Sequence, residues 1–274
     1  MNRKVLTIQD ISCVGQCSLT VALPIISACG IETAILPSAV LSNHTAFSEF
    51  TFCDLTDEMP NIRQCWMAQD IKFSALYTGY LGSAKQISIV KEVILDCIEE
   101  GGLKIVDPAM ADGGKLYTGF DMAYVEEMKK LCREADIILP NITEACLMTD
   151  TEYKTCYDRD YIEKLLARLK DLCGGNVILT GVAFDQSKNG VAVLENDQIK
   201  YYEHDRVGAG CHGTGDVYAS AFVGALMQGN SLFDAAKIAA DFTLLCIKNT
   251  VDHSDHWYGV RFETCLSELI NMIK

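Results

Sequence analysis

The stretch from Gly208 to Asp216, GAGCHGTGD, joins backbone that can come close to a ligand with a carboxylate that can take a proton. Glycine has no side chain, so a chain rich in it turns tightly and lets amides approach a bound group. A helix is expected to begin near Thr214 or Gly215. The first amides of a helix have no internal acceptor and carry the positive end of its dipole. Gly213, Thr214 and Gly215 could therefore present amides to a phosphoryl group, and Asp216 could accept the proton of an attacking hydroxyl. Position alone leaves a second reading open, in which Asp216 is a first-turn acid that only stabilises its helix. Gly208, Gly210 and Gly213 also fit the G-x-G-x-x-G dinucleotide pattern. That pattern needs a second strand soon after it, with an acidic residue at the strand's end. Here VYASAFVGALMQG, SLFDAAKIAADFTLLCIKN and VRFETCLSELINMI all carry helical spacing, and Asp234 falls at a helix start. The nicotinamide reading fails on that context.

Other residues of chemical interest lie where strands are expected to end, the place where open α/β sheets bind ligands. Thr45 is a short donor and acceptor, or a loop cap. Tyr80 is an exposed aromatic, or partly buried packing. Asp107 precedes Pro108 and is a ligand or a turn former. His253 and His256 beside Asp252 and Asp255 form a metal corner or, the preferred reading, a solvated loop before the last helix.

The elements that must hold these groups follow from periodicity. KVLTIQD, IETAILPSA, FSALYTGYL, KIVDP, ADIILPN and NVILTG read as strands. Helices are expected over residues 18–29, stopped by Gly30, over 83–100, capped by Ser83, over 121–134 and near 159–172. Residues 42–60 read as irregular. GVAVLEN and QIKYYEH form a hairpin over Asn196-Asp197. This alternation predicts an α/β fold with a mostly parallel sheet covered on both faces by helices.

Composition sets outer limits. A chain of 274 residues, 49% hydrophobic, suits a single domain over 1–274. No apolar run reaches the roughly 18 residues of a membrane span, and the apolar part of MNRKVLTIQD is too short for a signal peptide. No membrane partner is expected. The formal net charge of -14 argues against nucleic acid, although local amides can still bind ATP. Thirteen cysteines, an odd number with no C-x-x-C pair, are expected to be reduced packing residues of a cytoplasmic protein.

Motifs in order along the chain carry a resemblance. Ile8-Gln9 lies at the end of the first strand. Ser42-Asn43-His44-Thr45 follows the second, Thr78-Gly-Tyr80-Leu-Gly-Ser-Ala84 the third. Asp107-Pro-Ala-Met110 and Leu139-Pro-Asn141-Ile-Thr-Glu144 come next, and Gly213-Thr-Gly-Asp216 opens an alanine-rich helix. From about residue 4 to 250 the chain resembles the pyridoxal kinases, the vitamin B6 branch of the ribokinase superfamily.

The resemblance implies a ribokinase-like three-layer sandwich that uses ATP to phosphorylate a hydroxymethyl group. It makes Asp216 the base and Gly213, Thr214 and Gly215 the anion hole. Thr45 and Tyr80 would meet the pyridine ring. Asp107 and Glu144 would serve Mg²⁺ with ATP, in part through water. Asn141, Thr180 and Thr214 would contact phosphates, and Tyr117 would cover them from a loop over 111–119. It further implies a homodimer and a monovalent cation such as K⁺. Where relatives have Ser after Ile-Gln, this chain has Asp10, with Ser12 two places on, so the vitamer contact there stays open. Cys211 and His212 within the glycine stretch read as small-residue packing and loop residues. Hydroxymethylpyrimidine kinases share this chemistry but open with a GSD and glycine-rich loop, where this chain has ISCVGQCS. A binder that kept the fold without catalysis would gain little from Asp216.

Overall fold

The computed structural model describes residues 3–208, 211–253 and 255–274. Ala209 and Gly210, the second and third positions of the G-x-G-x-x-G pattern, lie outside the described residues. The chain divides into two compact units, one of Met1–Gly102 with Val207–Lys274 and one of Leu103–Arg206.

The first unit opens with β1 (Lys4–Ser12) and α1 (Leu19–Ala28), followed by β2 (Glu32–Leu41) and a short β3 (Phe52–Asp54). Then come α2 (Met59–Ala68), β4 (Phe73–Thr78), α3 (Ala84–Cys97) and β5 (Ile98–Val106), which leads into the second unit. β1 is buried along almost its whole length, as expected of a central strand with two covered faces. It pairs in parallel with β2 and β4. α1 ends where Gly30 takes φ 78, the left-handed stop that glycine permits. Ser83 caps α3 by accepting from Gln86 N.

The second unit holds a two-stranded hairpin of β6 (Ala111–Asp112) and β7 (Lys115–Leu116), then α4 (Met122–Cys132), β8 (Ile137–Ile138) and α5 (Ile142–Met148). It continues through α6 (Arg159–Cys173), β9 (Asn176–Thr180), β10 (Lys188–Glu195) and β11 (Gln198–Asp205). α6 buries Ile162, Leu165, Leu166, Leu169 and Cys173 along one stripe, the spacing of a helix with one apolar face. β10 and β11 meet over Asn196 and Asp197, whose φ values of 48 and 62 make the twisted two-residue turn that hairpins favour.

The chain returns to the first unit for α7 (Thr214–Met227), α8 (Leu232–Lys248), a short 3₁₀ turn over Glu263–Cys265 and α9 (Leu266–Met272). No strand follows Asp216 among the described residues. α7 is buried nearly all round, from Val217 to Ala225. Apart from the β6–β7 hairpin, the strands form one sheet in the order β11-β10-β9-β8-β5-β4-β1-β2-β3. The β1–β2, β1–β4, β5–β8 and β8–β9 pairs are parallel, and the β9–β10, β10–β11 and β2–β3 pairs are antiparallel. This is the mostly parallel α/β sheet with helices that the alternating pattern predicts.

Three local readings change. Residues 42–60 contain β3 and the start of α2. The helix expected to 100 stops at Cys97, where Ile98 turns extended to begin β5. α5 starts directly after Asn141, within the PN-x-x-E motif. All thirteen cysteines are free, and seven of them are buried. No helix among the described residues is long and apolar enough to cross a membrane.

Candidate active site

In the first unit the residues expected on the acceptor side lie where β1, β2 and β4 end and α7 begins. Asp10 is 6% exposed. One carboxylate oxygen, Oδ1, accepts from Ser18 Oγ at 2.6 Å, and Oδ2 accepts from Ser12 Oγ at 3.2 Å. Burial raises its carboxyl, against these hydrogen bonds and the nearby His44. Asp216 lies in the first turn of α7. It keeps part of its surface exposed, but the protein around its carboxyl desolvates it and pushes it up to about 7. The charge of Asp10 pushes the same way, and a backbone hydrogen bond from Ser18 opposes both. Ser12 and Ser18 thus hold the Asp10 carboxylate between them, and the charge of Asp10 reaches Asp216. Sequence reading missed Ser18, which looked like an ordinary first residue of α1.

Gly213 precedes α7 at φ 76, and a Cβ there would sit 1.6 Å from the Gln16 carbonyl oxygen. Glycine is the one residue that fits. Gly215 has nothing within 4 Å of a built Cβ, so the space where its side chain would stand is open. Thr214 Oγ1 donates to the Cys211 carbonyl at 3.2 Å. Burial raises the Cys211 thiol, which fits packing rather than a reactive thiolate. Cys17, beside both carboxylates, is pushed up to about 12 by burial and by Asp216.

Thr45 is exposed after β2 and Tyr80 is half-buried after β4. Burial and the charge of Asp10 both raise the Tyr80 hydroxyl, which keeps it neutral and able to donate. His44, just before Thr45 in the SNHT motif, is held by hydrogen bonds on both ring nitrogens. Its Nδ1 accepts from Ala46 N at 3.1 Å, so Nε2 carries the proton toward the Tyr258 carbonyl at 2.7 Å. Its ring lies 5.4 Å from that of His212. Burial and His44 lower the His212 imidazole, which leaves it uncharged at neutral pH.

In the second unit, Asn141, Glu144 and Thr180, expected on the nucleotide side, share one hydrogen-bonded corner. Asn141 caps α5, its Oδ1 accepting from Glu144 N at 3.0 Å while its own N donates to Glu144 Oε2 at 2.8 Å, a reciprocal capping box. The other Glu144 oxygen, Oε1, accepts from Met110 N at 3.1 Å. Asn141 Nδ2 reaches the Ala111 carbonyl at 2.8 Å. Thr180 donates through N and Oγ1 to the Pro140 carbonyl and forms a bridge with Asn141. Asp112, Asn141, Thr143, Tyr153, Thr180 and Gly181 line an open recess. Tyr117 follows the small β6–β7 hairpin, is 41% exposed and donates its amide to the Met110 carbonyl at 2.9 Å.

Glu144 is buried and its carboxyl is raised by that burial and by Asp112. Asp107 stands half-buried after β5. Both are hard oxygen donors, the type that suits Mg²⁺, and a cation there would favour the ionised form that burial disfavours at Glu144. Both oxygens of Glu144 already accept backbone amides, so its fit is through water.

With this geometry in view, the chain can be set beside known proteins. A Bacteroides thetaiotaomicron protein assigned as a phosphomethylpyrimidine kinase, solved with pyridoxal, is 39% identical; the match has a TM-score of 0.92 and covers 98% of this chain and 96% of that one. The pyridoxal kinase of Lactobacillus plantarum is 29% identical with a TM-score of 0.92, covering 99% and 98% of the two chains. The pyridoxal kinase of Dictyostelium discoideum is 26% identical over 240 residues, 82% of this chain and 78% of that one. Residues 34–260 match the model of one kinase family; the chain belongs to the phosphomethylpyrimidine kinase family.

Proposed function

We propose that this chain is an ATP-dependent kinase that phosphorylates the 5′-hydroxymethyl group of a vitamin B6 vitamer: pyridoxal, pyridoxamine or pyridoxine. The observation that carries the reading is Asp216, a desolvated carboxylate at about 7 in the first turn of a glycine-opened helix. A base poised near the working pH both exists in its ionised form and takes a proton readily. The pyridoxal held by the 39% identical relative supports the acceptor.

In the reaction, Asp216 takes the hydroxyl proton as the acceptor oxygen bonds to the γ-phosphorus. The bond from γ-phosphorus to the bridging oxygen breaks, and ADP leaves with that electron pair. The amides of Gly213, Thr214 and Gly215 stabilise the charge on the moving phosphoryl group. Thr45 and Tyr80 hold the ring, and Asp10 with Ser12 faces a ring substituent. Asn141 and Thr180 contact phosphates, and Tyr117 covers them. Mg²⁺, when bound by Asp107 and through water by Glu144, would offset the charge of the triphosphate. A monovalent cation such as K⁺ belongs to the same reading.

We take the whole chain, 1–274, as one kinase domain of a cytoplasmic homodimer. The exposed Phe50 and Phe52 beside the edge strand β3 support self-association, and light scattering would report it.

The family name raises one competitor, hydroxymethylpyrimidine, which presents the same kind of hydroxyl. The loop ISCVGQCS after β1 favours the vitamin B6 acceptor. The deciding experiment follows ADP release with pyridoxal, pyridoxamine, pyridoxine and hydroxymethylpyrimidine side by side. Preferred turnover of the pyrimidine would overturn the assignment of acceptor. Binding of ATP and vitamer with no ADP release would overturn catalysis itself.

A further inference from the structure

The loop over residues 79–82, after β4, carries Tyr80 and is held at both ends. At its start a Cβ on Gly79 would stand 2.5 Å from Gln9 Oε1, so the buried Gln9 side chain lies against the backbone there. Gly79 N donates to the Ile8 carbonyl at 3.2 Å. At its end Gly82 N donates to Gln86 Oε1 at 2.7 Å. Gln86 lies in the first turn of α3 and is 2% exposed. A glutamine at this place ordinarily turns back to the amide of the capping residue, here Ser83. This one reaches one residue further back, to Gly82, and its amide nitrogen turns to other segments. Nε2 donates to the Ser38 carbonyl of β2 at 3.0 Å and to Thr56 Oγ1 at 2.8 Å. The Ser38 carbonyl also accepts from Leu55 N at 3.0 Å. These partners fix which way the amide faces, since Gly82 N can only donate and the Ser38 carbonyl can only accept.

We propose that Gln86 is a positioning residue for Tyr80: it ties the end of the 79–82 loop to β2 and so sets where the Tyr80 ring stands beside the acceptor. Gly82 lies between the two side chains. A Cβ on it would stand 3.6 Å from Gln86 Oε1 and 3.8 Å from Tyr80 Cε1, ordinary contact distances, so a shift of Gly82 passes to the Tyr80 ring. The kinetic part of the proposal rests on the reading of Tyr80 as a contact to the vitamer ring.

The tie has little slack. The Gln86 amide is engaged by groups of the loop, of β2 and of the turn after β3. A buried amide with its partners in place holds them in one arrangement, and removing it leaves each of them unpaired away from solvent. Leu81, between Tyr80 and Gly82, is fully buried, so the loop cannot swing outward without exposing it. A side chain that orients a substrate loses its effect when it is displaced by even a small distance, and Gln86 is the group that limits such displacement at the Gly82 end.

Gln86→Met tests this, because it keeps the length of the side chain and removes its hydrogen bonds. The readout that needs no turnover is the ¹⁹F signal of Tyr80 in protein made with fluorotyrosine, identified by its loss in Tyr80→Phe. In Gln86→Met that signal is expected to move and KM for pyridoxal to rise several-fold, with KM for ATP unchanged. In a Tyr80→Ala background the same change should raise KM no further. Gln86→Glu keeps the acceptor for Gly82 but loses the donors for Ser38 and Thr56. It should give both changes in smaller measure, and it serves if Gln86→Met does not fold. Thr56→Val separates positioning from stability. It takes one bond from the same amide but leaves Gly82 tied to Ser38, so it should lower Tm without moving the signal or KM. An unmoved Tyr80 signal in the Gln86 variants would overturn the proposal, as would an equal rise of KM in Thr56→Val or in the Tyr80→Ala background. A signal that moves while KM for pyridoxal stays fixed would overturn its kinetic part. A chain that phosphorylates no vitamer would defeat the proposed reaction, while the ¹⁹F signal would still decide whether Gln86 sets Tyr80.

Discussion

Asp216 is held under two opposing demands. As a base it must be ionised, but its surroundings favour the proton. Because the reactive form is the carboxylate, kcat/KM should fall about tenfold per unit as pH drops well below about 7. A pH profile that stayed flat from 5 to 8 would contradict the assignment. Asp216→Asn should lower kcat by at least about 10² while vitamer and ATP binding are largely kept. The same variant makes a stability prediction. The folded carboxyl sits above its ordinary value of 3.8, so its contribution to stability is full below that value and is lost as pH rises through about 7. Removing the charge should therefore stabilise the fold at pH 8, by about 1–4 kcal/mol, with the gain shrinking as pH falls toward 4. Thermal unfolding of both proteins across that range reads it directly. Asp216 was legible in the sequence because a short glycine-rich motif precedes a helical pattern. Ser18 was not, since its bond to Asp10 depends on a backbone at φ 52 that no local pattern marks.

At the scale of elements, the α7 start separates two uses of glycine. Gly213 combines φ 76 with a Cβ position against the Gln16 carbonyl. Gly213→Ala should destabilise the fold by roughly 2 kcal/mol or more, because backbone rather than a flexible side chain must move. Gly215 is open and already helical, where alanine is favoured by about 1 kcal/mol. Gly215→Ala should keep or raise Tm yet lower kcat, because its methyl group enters the space meant for the phosphoryl group. Equal kcat in Gly215→Ala and wild type would argue against the amide cradle. Element reading succeeded where period and punctuation agreed, as in α6 with its single stripe and the hairpin over Asn196-Asp197. It failed where they did not. α2 exposes half of its residues and buries only Met59, so no apolar stripe announced it. α5 spans seven residues, too few for a periodic signal; its mark in the sequence is Asn141 three places before Glu144, the spacing of a capping box.

At the scale of the whole molecule, the two groups of residues fall in different parts of the chain. Asp10, Ser12, Thr45, Tyr80 and Asp216 lie in Met1–Gly102 or Val207–Lys274, whereas Asp107, Tyr117, Asn141, Glu144 and Thr180 lie in Leu103–Arg206. If each unit recognises its own substrate, substitutions in one should raise KM for that substrate alone. Thr45→Val and Tyr80→Phe should raise KM for the vitamer several-fold, about the worth of one hydrogen bond, and leave KM for ATP unchanged. Asn141→Ala should do the reverse. It also removes the cap on α5 and the bond to Ala111, so it should cost about 1 kcal/mol of stability as well. Thr180→Val, which keeps the backbone bond to Pro140, separates the two effects by raising KM for ATP with a smaller loss of Tm. Crossed effects, with Thr45→Val weakening ATP as much as vitamer, would mean that the residues do not divide the substrates between them. The acidic surface adds a condition to these measurements. With a formal net charge of -14, the field around the chain opposes the approach of ATP, and salt screens that field over about 10 Å at 0.1 M. KM for ATP should therefore fall as ionic strength rises, whereas KM for neutral pyridoxine should stay level. A KM for ATP that rose with salt would point instead to exposed cationic side chains as its main contacts, in place of the amides and neutral donors assigned at Asn141 and Thr180.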